Sequence, residues 1–201
     1  MKRYTDLTDD DGELIVKASR KIVTHYLNNE SFEFDDSFKK KFSFISGIFV
    51  TLMKQNDLRG CIGYPISDKE LYTTLEDSAV AAATKDPRFP PLTKEELTEI
   101  NFEVTILSEP EKISVNNPKE YPSKINIGKD GLIIKSSFSS GLLLPQVPIE
   151  YGWNEEEFLE HTCQKAGLEK NSWLSKDVTI EKFQGIVFAE ESPNGKVVRK
   201  L

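Results

Sequence analysis

Leu58-Arg59-Gly60-Cys61-Ile62-Gly63 sets a thiol between two glycines and two positions from a guanidinium, the residue types from which a reactive cysteine is built. In an extended strand Arg59, Cys61 and Gly63 share one face while Leu58, Gly60 and Ile62 share the other. Two strand residues advance by roughly 6 to 7 Å, close enough for Arg59 to bias the thiol toward thiolate. Gly63 is expected to leave open space beside the sulfur, and Gly60 to let a second layer approach the backbone from behind. Cys61 is then the candidate reactive group, with Arg59, Gly60 and Gly63 as candidate ligand contacts. The competing reading stays open, because free cysteine is among the most buried residue types and packs as a small hydrophobe.

Three further residues are candidates. Asp86-Pro87-Arg88-Phe89-Pro90-Pro91-Leu92 cannot continue a helix, and a loop so stiffened by proline aims Arg88 either at an anion or at a tethering carboxylate. Phe102, Val104 and Ile106 alternate with Glu103, Thr105 and Leu107, so Glu103 projects from the face opposite the apolar stripe. If that face meets the Cys61 face, a carboxylate, a guanidinium and a thiol converge. Gln146, flanked by Pro145 and Pro148, either reads a ligand edge or satisfies loop backbone. No metal site is expected: His161 and Cys163 lie two apart on a helix and point about 200° around from each other. Gly128-Lys129 lacks the spacing and the following Ser/Thr of a phosphate loop.

The elements that must carry these residues are legible in the periodicity. Thr8 and Asp9-Asp10-Asp11 open a helix whose stripe is Leu14, Ile15, Ala18, Ile22, Val23, Tyr26 and Leu27. Asn28 to Lys41 reads as a connection anchored by Phe32, Phe34 and Phe38. Gly47 to Tyr64 reads as a β-hairpin turning at Lys54-Gln55-Asn56-Asp57, its second strand carrying Cys61. Ser67 and Glu70 spell a capping box before a helix to about Lys85, Thr93-Lys94-Glu95-Glu96 a second box, and Asn154 to Glu157 a third. Ser108 to Lys124, with three prolines, marks a lobe boundary or excursion. A second hairpin is expected from Ile125-Asn126-Ile127 to Leu132-Ile133-Ile134-Lys135, turning at Asp130-Gly131. Phe158, Leu159, Thr162, Cys163 and Ala166 form the inner face of a helix stopped by Gly167, Ile180 to Glu190 is a strand, and a last edge strand starts at Lys196.

With 201 residues, 38% hydrophobic and 29% charged, the chain suits one domain with a sizeable core. Its formal charge of −7 disfavours direct binding to a nucleic-acid backbone, which needs concentrated positive charge. No run approaches the roughly 18 apolar residues of a membrane span. Two cysteines make no disulfide framework, and a cytoplasmic, reducing location is the expectation, with no resident cofactor.

Leu58 to Gly63, Asp86 to Leu92, Ile127-Gly128-Lys129-Asp130-Gly131-Leu132 and Leu142-Leu143-Leu144-Pro145-Gln146-Val147-Pro148 together resemble the AMMECR domain family. The resemblance covers most of the chain. It implies an α+β fold, a mainly antiparallel sheet flanked by helices in a two-lobed domain spanning 1–201, with a smaller lobe around 108–150. It also implies a cleft near Arg59 to Gly63, and the company of Memo-type and radical S-adenosylmethionine proteins in nucleotide, RNA or small-molecule modification. Two functions then stand side by side. One is an enzyme using Cys61 and Glu103, with Arg59, Arg88 and Gln146 positioning substrate. The other is a protein-interaction or adaptor module in which Cys61 is structural.

Overall fold

The computed structural model describes residues 4–200. In chain order it contains α1 (Asp9–Leu27), α2 (Asp36–Lys41), β1 (Ile48–Lys54), β2 (Asp57–Tyr64), α3 (Leu71–Thr84), β3 (Ile100–Leu107), β4 (Glu111–Lys112), β5 (Asp130–Lys135), β6 (Ser140–Leu143), α4 (Val147–Tyr151), α5 (Glu155–Lys165), β7 (Thr179–Glu190) and β8 (Val197–Arg199). The strands pair antiparallel, which makes the fold α+β as the sequence suggested. No helix among the described residues is long and apolar enough to cross a membrane.

The chain divides into two compact units: the first runs through Ser108 and resumes at Ile186, and the second is Glu109–Gly185. In the first unit β1 lies between β2 and β3, with Leu52 opposite both Gly60 and Phe102. Ile48, Val50 and Leu52 of β1 and Phe102, Val104 and Ile106 of β3 are fully buried on one face, under α1 and α3. Each contributes about 1.5–3 kcal/mol relative to exposure. α1 begins as its sequence requires: Thr8 N and the Asp11 carboxylate bond at 2.8 Å, while the Thr8 hydroxyl accepts from Asp11 N. Arg20 reaches from α1 to the buried Glu190, whose Oε2 also accepts from Phe102 N at 2.9 Å. That joins α1, β3 and the end of β7 through one satisfied ion pair. Gln55 and Asn56 turn the β1–β2 hairpin in left-handed conformation, at φ 53° and 69°. Paired positive φ is what a tight hairpin turn asks for.

In the second unit β5 pairs with β6 on one side and with β7 on the other. Phe158, Leu159 and Cys163 of α5 pack with Leu132, Ile134, Trp173 and Ile180 in its core. Asn154 and Glu157 form the expected capping box. Gly167, at φ 74°, follows the helix end. A methyl group at Gly141 would lie 2.3 Å from Ala166 N, so β6 needs a glycine where α5 ends against it.

Four expectations are corrected. The hairpin turn is not at Asp130-Gly131, because Asp130 begins β5, is fully buried, and accepts from Asn126 N at 2.9 Å and Gln184 Nε2 at 2.9 Å. Residues 125–127 form no strand; β5 turns instead through Ser136–Ser139 into β6. The Ser67 box does not form: Glu70 occupies the N-cap, and Ser67 Oγ accepts from Lys69 N at 3.0 Å. The connection 28–41 contains a short helix, α2, capped by Asp35. After Thr93 the expected short helix forms, as a 3-10 helix at Glu95–Glu99, with Thr93 N donating to Glu96 Oε2 at 3.1 Å.

Candidate functional site

In an antiparallel ladder directly opposed residues share a face. Thr51 opposes Cys61 on one side and Glu103 on the other, so Cys61, Thr51 and Glu103 form one row across β2, β1 and β3. The row lies on the face away from the buried Leu52, Phe102 and Gly60, and all three of its residues are half-buried. Strand spacing puts the Cys61 and Glu103 backbones about 10 Å apart. Thr51 Oγ1 donates to Cys61 Sγ at 3.2 Å, and Lys200 Nζ donates to Glu103 Oε2 at 3.1 Å. Thiol and carboxylate thus stand on one face of one sheet, two strands apart.

The proline-rich loop clamps β2 from its free edge. Asp86 is buried and accepts from Cys61 N at 2.8 Å, from Arg88 N at 3.1 Å, and from Arg88 Nε and Nη2 at 2.9 and 2.7 Å. Arg88 Nη2 also reaches the Cys61 carbonyl at 3.4 Å, and Leu92 N returns to Ala83 O at 2.7 Å. The Arg88 guanidinium, helped by the two backbone N–H donors, holds the Asp86 carboxyl well below the usual carboxylate range. Arg88 itself stays half-exposed, its side chain at 53%. Arg88 is therefore the cation beside Cys61.

Arg59 is not. Its Nε and Nη2 grip Glu96 in a two-pronged pair at 3.0 Å each, and Nη1 donates to Pro90 O at 3.0 Å. Phe89 lies near both guanidiniums, 5.9 Å from Arg59 and 5.6 Å from Arg88. Simple alternation fails at Arg59, because the register shifts there and Leu58 opposes Met53, and a carboxylate from the following 3-10 helix captures its long side chain. Burial pushes the Cys61 thiol up, against the lowering by the Thr51 hydrogen bond and the Arg88 charge, while Asp86 and Glu103 raise it further. Cys61 at rest is thus a protonated thiol, and the expected Arg59-driven thiolate is corrected.

The two glycines differ. A methyl group at Gly60 would sit 2.2 Å from Ala82 O, so the strand needs glycine for α3 to approach it, as expected. At Gly63 the space is already filled: the added carbon would meet Ile48 O at 2.1 Å and the Phe49 ring at 2.6 Å. Gly63 serves packing of β1 on β2 and opens no hollow beside the sulfur. Gln146 belongs to the second unit, where it is exposed at the N-cap of α4; the arrangement around Cys61 is built without it.

Sequence reasoning missed Thr51, Asp86, Glu96 and Lys200. Asp86 had a local signal, since it heads the proline loop two residues before Arg88. The others had none, because each meets its partner only through strand pairing or chain reversal. Among the described residues no three His, Cys, Asp or Glu side chains gather as a metal-holding group. What the row offers chemically is a thiol held by the Thr51 hydroxyl and, two strands away, a carboxylate held by Lys200, each able to meet a different part of one ligand.

Comparison with known proteins gives a consistent result. The family model for AMMECR1 matches residues 16–188. Protein MJ0810 of Methanocaldococcus jannaschii is 48% identical over 196 residues, covering 96% of this chain and 97% of that protein. Protein NEQ441 of Nanoarchaeum equitans is 48% identical over 178 residues, covering 88% of this chain and 99% of its own. The crystal structure of the uncharacterised protein PH0010 from Pyrococcus horikoshii, 42% identical, superposes with a TM-score of 0.86 over 96% of this chain and 98% of that one.

Proposed function

The chain belongs to the AMMECR1 family, and on that premise we propose that it is an enzyme whose substrate lies across the outer face of β2, β1 and β3. Cys61 is the ligand-contacting thiol. Thr51 orients the sulfur, and Glu103, two strands away, serves as base toward a substrate lying across the row. Arg88, half-exposed beside the Cys61 carbonyl, meets the substrate, whereas Arg59, Gly60 and Gly63 shape the strand that holds Cys61. The observation that carries this reading is the row itself: three chemically able side chains, half-buried and in register, on a face where a purely structural sheet needs only solvated polar residues. The setting is cytoplasmic nucleotide, RNA or small-molecule modification, in the company of Memo-type and radical S-adenosylmethionine proteins. The charge of −7 argues for a small-molecule substrate or a partner-held one over direct nucleic-acid binding.

A second reading, an adaptor module with Cys61 structural, is favoured by one specific observation. Both arginines are already paired with carboxylates and the thiol is protonated, so the motif also makes sense as architecture. A thermal-shift screen with nucleotides and metabolite extract separates the two. The enzyme reading expects a ligand that raises the wild-type Tm and loses its effect in both Cys61→Ala and Glu103→Gln. Folded variants that respond to every ligand as the wild type does would leave the adaptor reading standing.

A further inference from the structure

Lys200 is the residue of the Cys61 face that nothing in the linear chain announces. It follows β8, and its backbone N donates to Val187 O at 2.8 Å, which fixes its place next to β7. From there its ammonium reaches Glu103 Oε2 at 3.1 Å while 53% of its side chain remains exposed. Arg88 lies at the other end of the row, bound to Asp86 and to the Cys61 carbonyl, with its side chain equally open to solvent. The acids paired with these two bases are Asp86, buried, and Glu103, at 22% exposure, while Arg59, on the same strand as Cys61, pairs with Glu96. The two acids are therefore the covered members of their pairs and the two bases the open ones. An arriving ligand meets positive charge first, at both ends of a row about 10 Å long.

Resting on the reading of this face as a substrate site, we infer that its ligand is an anionic small molecule, phosphate- or carboxylate-bearing, held between Lys200 and Arg88 over the Cys61 thiol. Lys200 is a binding residue on this account, and it also positions Glu103. A neutral ligand would gain nothing from two open cations. A cationic one would have to displace them to reach the acids beneath.

The test uses the thiol as a reporter on the full chain. Native protein is alkylated with iodoacetate, an anion, and with iodoacetamide, its neutral counterpart, and labelling of Cys61 is followed by mass spectrometry. An ammonium held at Glu103, whose backbone is about 10 Å from that of Cys61, in a solvent-exposed setting favours the anionic reagent by about twofold at low salt. The iodoacetate-to-iodoacetamide ratio is expected to fall by that factor in Lys200→Gln and to rise in Glu103→Gln. Inorganic pyrophosphate or succinate, at matched ionic strength, is expected to slow iodoacetamide labelling of the wild type and not of Lys200→Gln; whichever acts identifies phosphate or carboxylate as the preferred group. Rapid labelling with a ratio indifferent to both variants, or with no protection by either anion, would overturn the anionic assignment and leave the Cys61 site intact. A native Cys61 that no reagent labels would sink the site and the assignment together.

Discussion

Replacing Asp86 by asparagine should cost the first unit about 3 kcal/mol at pH 7, because the carboxylate sits under four donors and asparagine cannot serve them. Wild-type Asp86 accepts from Cys61 N, Arg88 N, Arg88 Nε and Arg88 Nη2. The amide offers one oxygen and turns an NH2 group toward donors. Breaking a buried pair costs about 3–5 kcal/mol, but Arg88 is half-exposed and recovers hydration, which brings the figure to about 2–4 kcal/mol. For a chain of this size that is a fall in Tm of roughly 5 to 12 °C. Both tryptophans, Trp153 and Trp173, lie in the second unit, so fluorescence would follow the wrong half. Far-UV circular dichroism under urea, with hydrogen exchange at the Cys61 amide, reads the right one. Because the folded-state carboxyl titrates below the unfolded one, the wild-type advantage is complete above the unfolded value near 4 and is lost as the pH falls toward the folded value. The gap between wild type and variant should be flat from about pH 7 to 5 and narrow below about 4. A gap under about 1 kcal/mol, or one unchanged down to about pH 3, would refute the claim that this carboxylate clamps the strand.

Gly60→Ala should destabilise the first unit by about 1–3 kcal/mol, since the new methyl meets the Ala82 carbonyl and α3 must move; a denaturation midpoint within error of wild type would contradict the packing. Glu190→Ala should be worse, about 3–5 kcal/mol, for it strands Arg20 and leaves Phe102 N without its acceptor, which calorimetry of the full chain would register. Alkylation across pH should show Cys61 reacting more slowly than a free thiol at about pH 8 and accelerating as the pH rises, because its titration is displaced upward. Cys163, fully buried and pushed up to about 11, should stay unlabelled until the protein unfolds; equal rates for the two thiols would count against both placements.

Local chemistry made much of this protein readable from its residues. The β1–β2 hairpin, the alternation of β3 and the Asn154 cap depend on spacings of a few residues and stand as read, while the α1 stripe holds at Ile15, Ala18, Ile22 and Val23 but not at Leu14 and Tyr26, which are exposed. Gly60 belongs with them, because a glycine inside a strand signals close approach of another backbone. Gly63 carries the same local signal and was misread as open space, since only the register opposite Phe49 shows what fills it. The Asp130-Gly131 turn failed for a similar reason: burial of Asp130 against Asn126 and Gln184 outweighs the turn preference of the dipeptide.

What no spacing contained is the set of partners. Arg59 pairs with Glu96, Cys61 lines up with Glu103 through Thr51, and Lys200 closes on Glu103 from the far end of the chain. Strand order and long side chains decide those meetings, and both answer to the total burial and charge pairing of the folded state. The sequence by itself therefore determined most of the longer elements and which residues are able to do chemistry. Tertiary structure alone decided which charge stands beside the thiol, because Coulombic and hydrogen-bond partners are chosen by distance in space.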